Sequence, residues 1–208
     1  MKKIQIICDG IANMPRELAE EYNIHVIPLS VNVDGIEYKD LDLKDEEFYC
    51  LVRNSKDIPK TSQATYVDFK EIFERYLDEG KTVLYIAGSS KSSGTYQSGM
   101  LAKNDLEGDI HIFDSMNISF GCGMLVLMAA RMYKEGTNIN DILNELEAFR
   151  DKVHVSMSLG SLEYLKKGGR ISNTKALIGN TLNIKPILTV KDGLIYQETQ
   201  VRGKKRVI

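Results

Sequence analysis

The sequence contains few of the residues from which disulfide frameworks and metal sites are built. It has three cysteines and three histidines among 208 residues, and no CxxC pair occurs. Cys8, Cys50 and Cys122 each lie within an apolar pattern, which indicates buried thiols of a reducing compartment. The histidines lie in apolar or strand-like runs, without carboxylates or cysteines at metal-ligand spacing. These features argue against a disulfide-stapled secreted domain and predict no metal site.

Long hydrophobic runs are also missing. The most apolar run, residues 121–130, is shorter than the about 20 residues that a membrane helix needs. The chain opens with Met1-Lys2-Lys3 and passes into a short strand, without the apolar core of a signal peptide. We therefore expect a cytoplasmic protein without an integral membrane segment.

The chain lacks the excess of positive charge that a nucleic-acid partner would require. Its net charge is −2, and four of its basic residues lie within the last seven positions, so the remainder is more acidic still. An acidic body provides no extended positive field for a phosphate backbone. We expect no nucleic-acid partner, and the basic terminus is more typical of a solvated end than of an anion site.

What the sequence does contain is an alternation of strands and helices through its first 150 residues. Apolar runs predict strands at residues 3–8, 24–33, 82–87 and 109–113. Asp42 is expected to cap a helix that ends near Asn54, and Thr65 with Asp68 resembles a capping box. This alternation predicts a doubly wound, parallel-sheet α/β/α domain over residues 1–150.

The pattern changes near residue 151. A strand at 153–159, short helices at 162–167 and near 174–182, and a hairpin closed by Lys191-Asp192-Gly193 predict a smaller α+β unit. We assign residues 151–208 to this second domain.

Polar side chains gather at four predicted loop ends: Asp9-Gly10, Thr61-Ser62, residues 89–95 and Asp114-Ser115. Three of these follow the carboxyl ends of predicted strands, where open α/β sheets bind ligands. In the run Ser92-Ser93-Gly94-Thr95, the glycine lets a ligand approach the backbone, while the opening helix offers free N–H groups. The run therefore suits a carboxylate or a phosphate, although helix capping would explain the same residues equally well.

Two arginines beside glycines, Arg170 and Arg202, are further candidates, because a guanidinium can donate two parallel hydrogen bonds to a planar anion. Each is also compatible with an ordinary surface charge. The sequence contains no GxSxG elbow and no phosphate-binding P-loop. A hydrolase or phosphotransferase that uses Ser93 or Asp114 stays as an alternative, but no base–nucleophile pair accompanies either residue.

Six runs, kept in the same order, resemble the DegV family of bacterial fatty-acid-binding proteins. They are residues 28–31 (PLSV), 60–63 (KTSQ), 92–98 (SSGTYQS), 114–115 (DS), 162–171 (LEYLKKGGRI) and 184–188 (IKPIL). The resemblance implies a two-domain fold that holds a long-chain fatty acid between the domains and needs no other cofactor. It also implies that the protein does no chemistry itself but presents the fatty acid to a fatty acid kinase.

The same resemblance implies roles for individual residues. Thr61 and Ser93 are expected to contact the carboxylate, and Ser62 and Gly94 are expected to be their neighbours. Arg170 and Arg202 are expected to support the head-group site or the partner interface.

The chain departs from the family pattern at two points. The family's first loop usually reads Asp-Ser, whereas this chain has Asp9-Gly10 and so lacks one hydroxyl. The family pattern also continues well beyond residue 208. We therefore expect the second domain to be incomplete.

Overall fold

The computed structural model describes residues 3–159, 162–171 and 184–202. The described strands are β1 (Ile4–Asp9), β2 (His25–Ile27), β3 (Ser30–Val33), β4 (Ile36–Lys39), β5 (Lys60–Ser62), β6 (Thr82–Ala87), β7 (Ile110–Asp114), β8 (Ser156–Ser158), β9 (Ile184–Lys191) and β10 (Leu194–Arg202). The described helices are α1 (Arg16–Glu21), α2 (Asp45–Asn54), α3 (Tyr66–Asp78), α4 (Thr95–Asn104), α5 (Phe120–Lys134), α6 (Ile139–Arg150) and α7 (Glu163–Gly168), with 3-10 helices at Gly10–Ala12 and Asp40–Asp42.

The central sheet has four parallel strands in the order β2-β1-β6-β7. Its two middle strands, β1 and β6, are buried along their whole length, as the continuous apolar runs predict. Ile6 and Ile86 belong to the core that is shared with α5 and α6, whereas Ile7 and Tyr85 belong to the core shared with α3 and α4. Helices on both faces of a parallel sheet confirm the predicted α/β/α architecture.

A second sheet corrects the prediction of one long strand at residues 24–33. Two strands form instead: β2 joins the parallel sheet, and β3 pairs with β4 and β5 in an antiparallel sheet. The break has a physical cause, because Pro28 has no N–H for a ladder hydrogen bond. The amide of Leu29 donates instead to the Asp40 carboxylate, at 3.0 Å.

The region around α2 differs from the sequence prediction at two residues. Asp42 ends a 3-10 helix, and α2 begins instead after Lys44, whose amide donates to the Glu47 carboxylate at 3.1 Å. Every residue of α2 is at least partly exposed. The prediction of a buried thiol was therefore wrong for Cys50, which is exposed, whereas Cys8 and Cys122 are buried as predicted. The capping box is confirmed at α3, where Thr65 and Asp68 exchange hydrogen bonds.

A third, antiparallel sheet in the order β10-β9-β8 follows α6. The predicted hairpin between β9 and β10 is confirmed, with positive φ angles at Asp192 (50°) and Gly193 (77°). Its core of Ile171, Leu188 and Ile195 also packs against Ile118 from the first part of the chain. The helix predicted near residues 174–182 lies outside the described residues, and the domain boundary near residue 151 stays a prediction.

Candidate functional site

The carboxyl ends of β1 and β6 are held together by Asp9. This side chain is fully buried, and its Oδ1 accepts a hydrogen bond from the Ile11 amide at 2.8 Å. Its Oδ2 accepts from the Gly88 amide at 3.2 Å and from the Tyr85 hydroxyl. Burial raises the pKa of Asp9 above its usual value. These contacts make Asp9 a residue that joins two loops.

Asp114, at the end of β7, has a similar place. Its Oδ1 accepts from the amides of Ser90, at 3.3 Å, and Met116, at 2.9 Å. The carboxylate therefore ties the loop after β7 to the loop after β6. Asp9 and Asp114 both accept hydrogen bonds from backbone amides, which is typical of an aspartate that stabilises a turn.

The loop between β6 and α4, residues 88–94, is called the serine loop below. The amides of Ser92 and Ser93 both donate to the Ser89 carbonyl oxygen at 3.1 Å, which closes a tight turn. The Ser93 hydroxyl accepts from the Thr95 amide at 3.2 Å and lies 3.0 Å from the Thr95 hydroxyl. Ser93 thus stands at the N-terminus of α4, where the first amides of a helix lack intrahelical acceptors.

A cavity of about 550 Å³ opens beside the serine loop. Its lining consists of Ile11, Leu29, Thr61, Ser62, Gln63, Ser92, Ser93, Gly94, Ile118, Ser119, Leu165, Arg170 and Ile195. The structure therefore brings together five of the six residues predicted for the site: Thr61, Ser62, Ser93, Gly94 and Arg170. Hydroxyl groups and a guanidinium share this space with aliphatic side chains.

The prediction from the sequence was wrong about the location of Thr61 and Ser62. They were expected at a loop end, but they lie in β5, opposite Val31 and Ser30 of β3. Both residues are exposed and line the cavity together with residues of the serine loop. They reach the site because β5 lies in the small antiparallel sheet and not at the end of a parallel strand.

The two arginines have different surroundings. Arg170 follows Gly169, whose φ of 69° ends α7, and it lines the cavity with an exposed side chain. Its guanidinium donates to the Gly168 carbonyl oxygen. Arg202 is exposed at the end of β10, opposite Ile184, and lies outside the described lining of the cavity.

Two lining residues, Gln63 and Ser119, were not predicted as site residues, although Gln63 belongs to the KTSQ run at residues 60–63. Gln63 lies against Gly94, where an added Cβ would be only 1.9 Å from the Gln63 Oε1 atom, and its Nε2 donates to the Ser98 hydroxyl at 3.1 Å. Ser119 precedes α5 with φ 50° and ψ −136°, a backbone conformation in which glycine would be expected. Its amide donates to the Ile11 carbonyl oxygen at 2.8 Å.

The carboxylate of Asp40 lies beside Gly10, the position at which the first loop lacks a hydroxyl. A Cβ on residue 10 would lie 2.1 Å from Asp40 Oδ2, so this carboxylate fills the space that a serine side chain would need. Asp40 also holds Leu29, which lines the cavity. Burial, together with the charge of Asp9, raises the pKa of Asp40.

Two further findings concern metals and membranes. Within residues 3–159, 162–171 and 184–202, the structure brings together no group of three or more histidine, cysteine, aspartate or glutamate side chains that could hold a metal ion. No helix in these same ranges is long and apolar enough to cross a bilayer.

Comparison with known proteins shows which family the sequence matches. A family model described as "uncharacterised protein, DegV family" matches residues 3–208. A DegV domain-containing protein from Caldanaerobacter subterraneus is 43% identical over 210 residues, and the match covers all of this chain and 75% of the relative.

Solved structures agree with this match. A DegV family protein from Thermus thermophilus, described by its fatty acid binding, superposes with a TM-score of 0.90 at 35% identity. The match covers 98% of this chain and 73% of that one. A DegV lipid-binding protein from Thermotoga maritima superposes with a TM-score of 0.88 at 31% identity, over 98% of this chain and 73% of its own.

Proposed function

This chain belongs to the DegV family, and we propose that it binds one long-chain fatty acid in the cavity beside the serine loop. The observation that carries the proposal is the lining of that cavity. Thr61, Ser93 and Arg170 come from three separate parts of the chain, and they meet there beside aliphatic residues. Donors at one place and apolar side chains around them are what an amphipathic carboxylic acid requires.

The head group is the part that the polar residues recognise. Ser93 accepts a hydrogen bond from the Thr95 amide, and its hydroxyl pairs with that of Thr95 in either direction. With Thr95 as the donor of that pair, the Ser93 proton is available to a carboxylate oxygen. Thr61 donates from the facing strand, the first amides of α4 add a partial positive charge, and Arg170 supplies a full one. Ser62 and Gly94 flank this contact. These donors matter because a buried carboxylate without partners is heavily penalised.

The tail supplies most of the affinity. Each buried methylene contributes about 0.8 kcal/mol, so ten methylenes contribute about 8 kcal/mol before ordering costs. Leu29, Ile118 and Ile195 line the cavity and are suited to contact the first part of the tail. In this arrangement the hydroxyls set the orientation of the ligand, while the apolar wall retains it.

We further propose that the protein is a cytoplasmic carrier and that the chemistry belongs to a fatty acid kinase to which it presents the lipid. Two observations support a carrier. Asp9 and Asp114 already accept hydrogen bonds from loop amides, and the solved relatives are described by their fatty acid or lipid binding. Exposed Arg202, outside the cavity lining, is assigned to the partner-facing surface.

Native mass spectrometry of the protein purified from a bacterial host tests the proposal. The wild type should carry a long-chain acyl mass, and this mass should be lost in Thr61→Ala/Ser93→Ala. The matched control is Ser90→Ala/Thr199→Ala, which removes the same two hydroxyl types outside the cavity lining. A wild type that stays empty when incubated with fatty acid would overturn the proposal.

A further inference from the structure

The tip of the β9–β10 hairpin is bonded to the serine loop. The hydroxyls of Ser89 and Ser92 both donate to the carbonyl oxygen of Gly193, at 2.7 and 2.6 Å. Ser89 is completely buried, and its Oγ also accepts from the Lys91 amide at 3.2 Å. One carbonyl at the turn between β9 and β10 therefore holds two side chains of the loop that follows β6.

The fit at this contact requires glycine at position 193. The residue has a φ of 77°, in the left-handed region that other residues rarely adopt. A Cβ there would lie 2.4 Å from Ser89 Oγ and 3.1 Å from a carbon of the Lys91 side chain. The chain tolerates this close approach only because no side chain separates the Gly193 carbonyl from the two hydroxyls.

The hydroxyls of the serine loop are thus divided between two tasks. The hydroxyls of Ser89 and Ser92 donate to the hairpin, while that of Ser93 pairs with Thr95 at the start of α4. Ser92 and Ser93 both line the cavity, and Ser89 lies outside its described lining. The Ser89 carbonyl also accepts the amides of Ser92 and Ser93. The residues that the hairpin holds are therefore the same ones that set the backbone from which Ser93 projects.

We propose that Gly193 is a positioning residue for the head-group site. By accepting hydrogen bonds from Ser89 and Ser92, its carbonyl holds the serine loop in the conformation that presents Ser93 and the first amides of α4 to a carboxylate. The inference rests on the proposed function and adds a residue to it that touches no ligand. The same hairpin carries Ile195 into the cavity lining, so its docking also completes an apolar wall.

The two contributions of the hairpin can be separated with a ligand that has a tail but no charge. A methyl ester needs the apolar wall but makes weak use of donors arranged for a carboxylate. Loss of a contact that positions the loop should therefore weaken binding of the acid more than binding of the ester. If the hairpin contact held only the apolar wall of the cavity, its loss should weaken binding of the acid and binding of the ester equally.

The experiment measures dissociation constants for palmitic acid and methyl palmitate in wild type, Ser92→Ala, Ser92→Thr and Ser90→Ala. Ser92→Ala should weaken binding of the acid about five- to tenfold, the value of one hydrogen bond. Binding of the ester should change by less than about twofold. Ser92→Thr, which keeps the hydroxyl, should restore acid binding. Ser90→Ala should match wild type, because the Ser90 side chain makes no hydrogen bond to any described residue.

Amide hydrogen exchange in the ligand-free proteins provides a second readout. Ser92→Ala and Gly193→Ala should both speed exchange at Ser92 and Ser93, while strands β1 and β6 keep wild-type protection. Unchanged exchange in the serine loop, unchanged acid affinity, or equal losses for acid and ester would overturn the inference. If wild type binds neither ligand, the proposed function itself fails, and the inference fails with it.

Discussion

Gln63 and Gly94 touch at the point where the two proposed head-group elements meet. The Gln63 carboxamide occupies the space in which any Cβ on residue 94 would lie, with Oε1 1.9 Å from that position. Its Nε2 donates to the Ser98 hydroxyl, one turn into α4, at 3.1 Å. This contact fixes β5 against the N-terminus of α4 and so sets the separation of Thr61 and Ser93.

Gly94→Ala should displace the Gln63 side chain from Ser98. Because the colliding atoms are at the end of a flexible side chain, we expect a loss of less than about 1.5 kcal/mol of stability. The effects should be non-additive: Gly94→Ala/Gln63→Ala should lose less than the sum of the single variants. Urea denaturation of all four proteins measures this coupling, and additive losses would contradict the contact.

Gly10→Ser, which introduces the serine that the resemblance of the first loop implies, should destabilise this chain by about 1–3 kcal/mol. The added Cβ would lie 2.1 Å from Asp40 Oδ2, so the carboxylate would have to leave the Leu29 amide. Asp40→Ala removes the colliding atoms, and Gly10→Ser should therefore cost less in the Asp40→Ala background than in wild type. Thermal unfolding tests this, and an equal cost of Gly10→Ser in both backgrounds would show that Asp40 is not the obstacle.

Ser119→Gly should stabilise the protein by about 1 kcal/mol, because glycine adopts a φ of 50° with a ψ of −136° without the strain that a Cβ causes. Ser119→Ala keeps the Cβ and the strain but removes the hydroxyl, so it serves as the control and should show no such gain. Denaturation midpoints in urea distinguish the two variants. A gain in Ser119→Ala as large as in Ser119→Gly would refute the role of the backbone.

His25 should make the fold sensitive to acid. Burial, and next the positive charge of Arg75, lower the pKa of His25 to about 4; its Nδ1 lies 3.1 Å from the Tyr76 hydroxyl. The unfolded chain, with a histidine pKa of about 6.5, binds the proton first, so stability should fall as the pH drops from about 6.5 to 4.

Unfolding free energies of wild type and His25→Gln across this pH range measure the contribution of His25. The variant has no titrating ring at this position, so its stability curve should be flatter between about pH 6.5 and 4. Parallel curves for the two proteins would contradict the assignment.

The exposed position of Cys50 and the split of residues 24–33 show where sequence patterns mislead. An apolar neighbourhood indicates that a segment packs on something, but it does not say which residues face inward when the helix lies at the edge of the fold. In residues 24–33 the ladder breaks because Pro28 has no N–H, and the next amide, that of Leu29, donates to the Asp40 carboxylate. That acceptor is eleven residues away, beyond any local pattern.

The alternation of strands and helices was determined by the sequence alone, because each element depends on its own neighbours. Buried runs such as residues 82–87, the Thr65–Asp68 capping box and the Asp192-Gly193 turn act over a few residues and form as predicted. The resemblance of six ordered runs also identified five residues that line one cavity.

Only the tertiary structure decided which serine does what. Ser89, Ser92 and Ser93 look alike in the sequence, yet the hydroxyls of the first two donate to Gly193, which is 104 and 101 residues away, and that of the third pairs with Thr95. A hydroxyl can pair with many acceptors, so its partner depends on which distant backbone the fold brings within 3 Å or so. The same reason places Thr61 at the site through β5 and leaves Arg202 outside the described lining of the cavity.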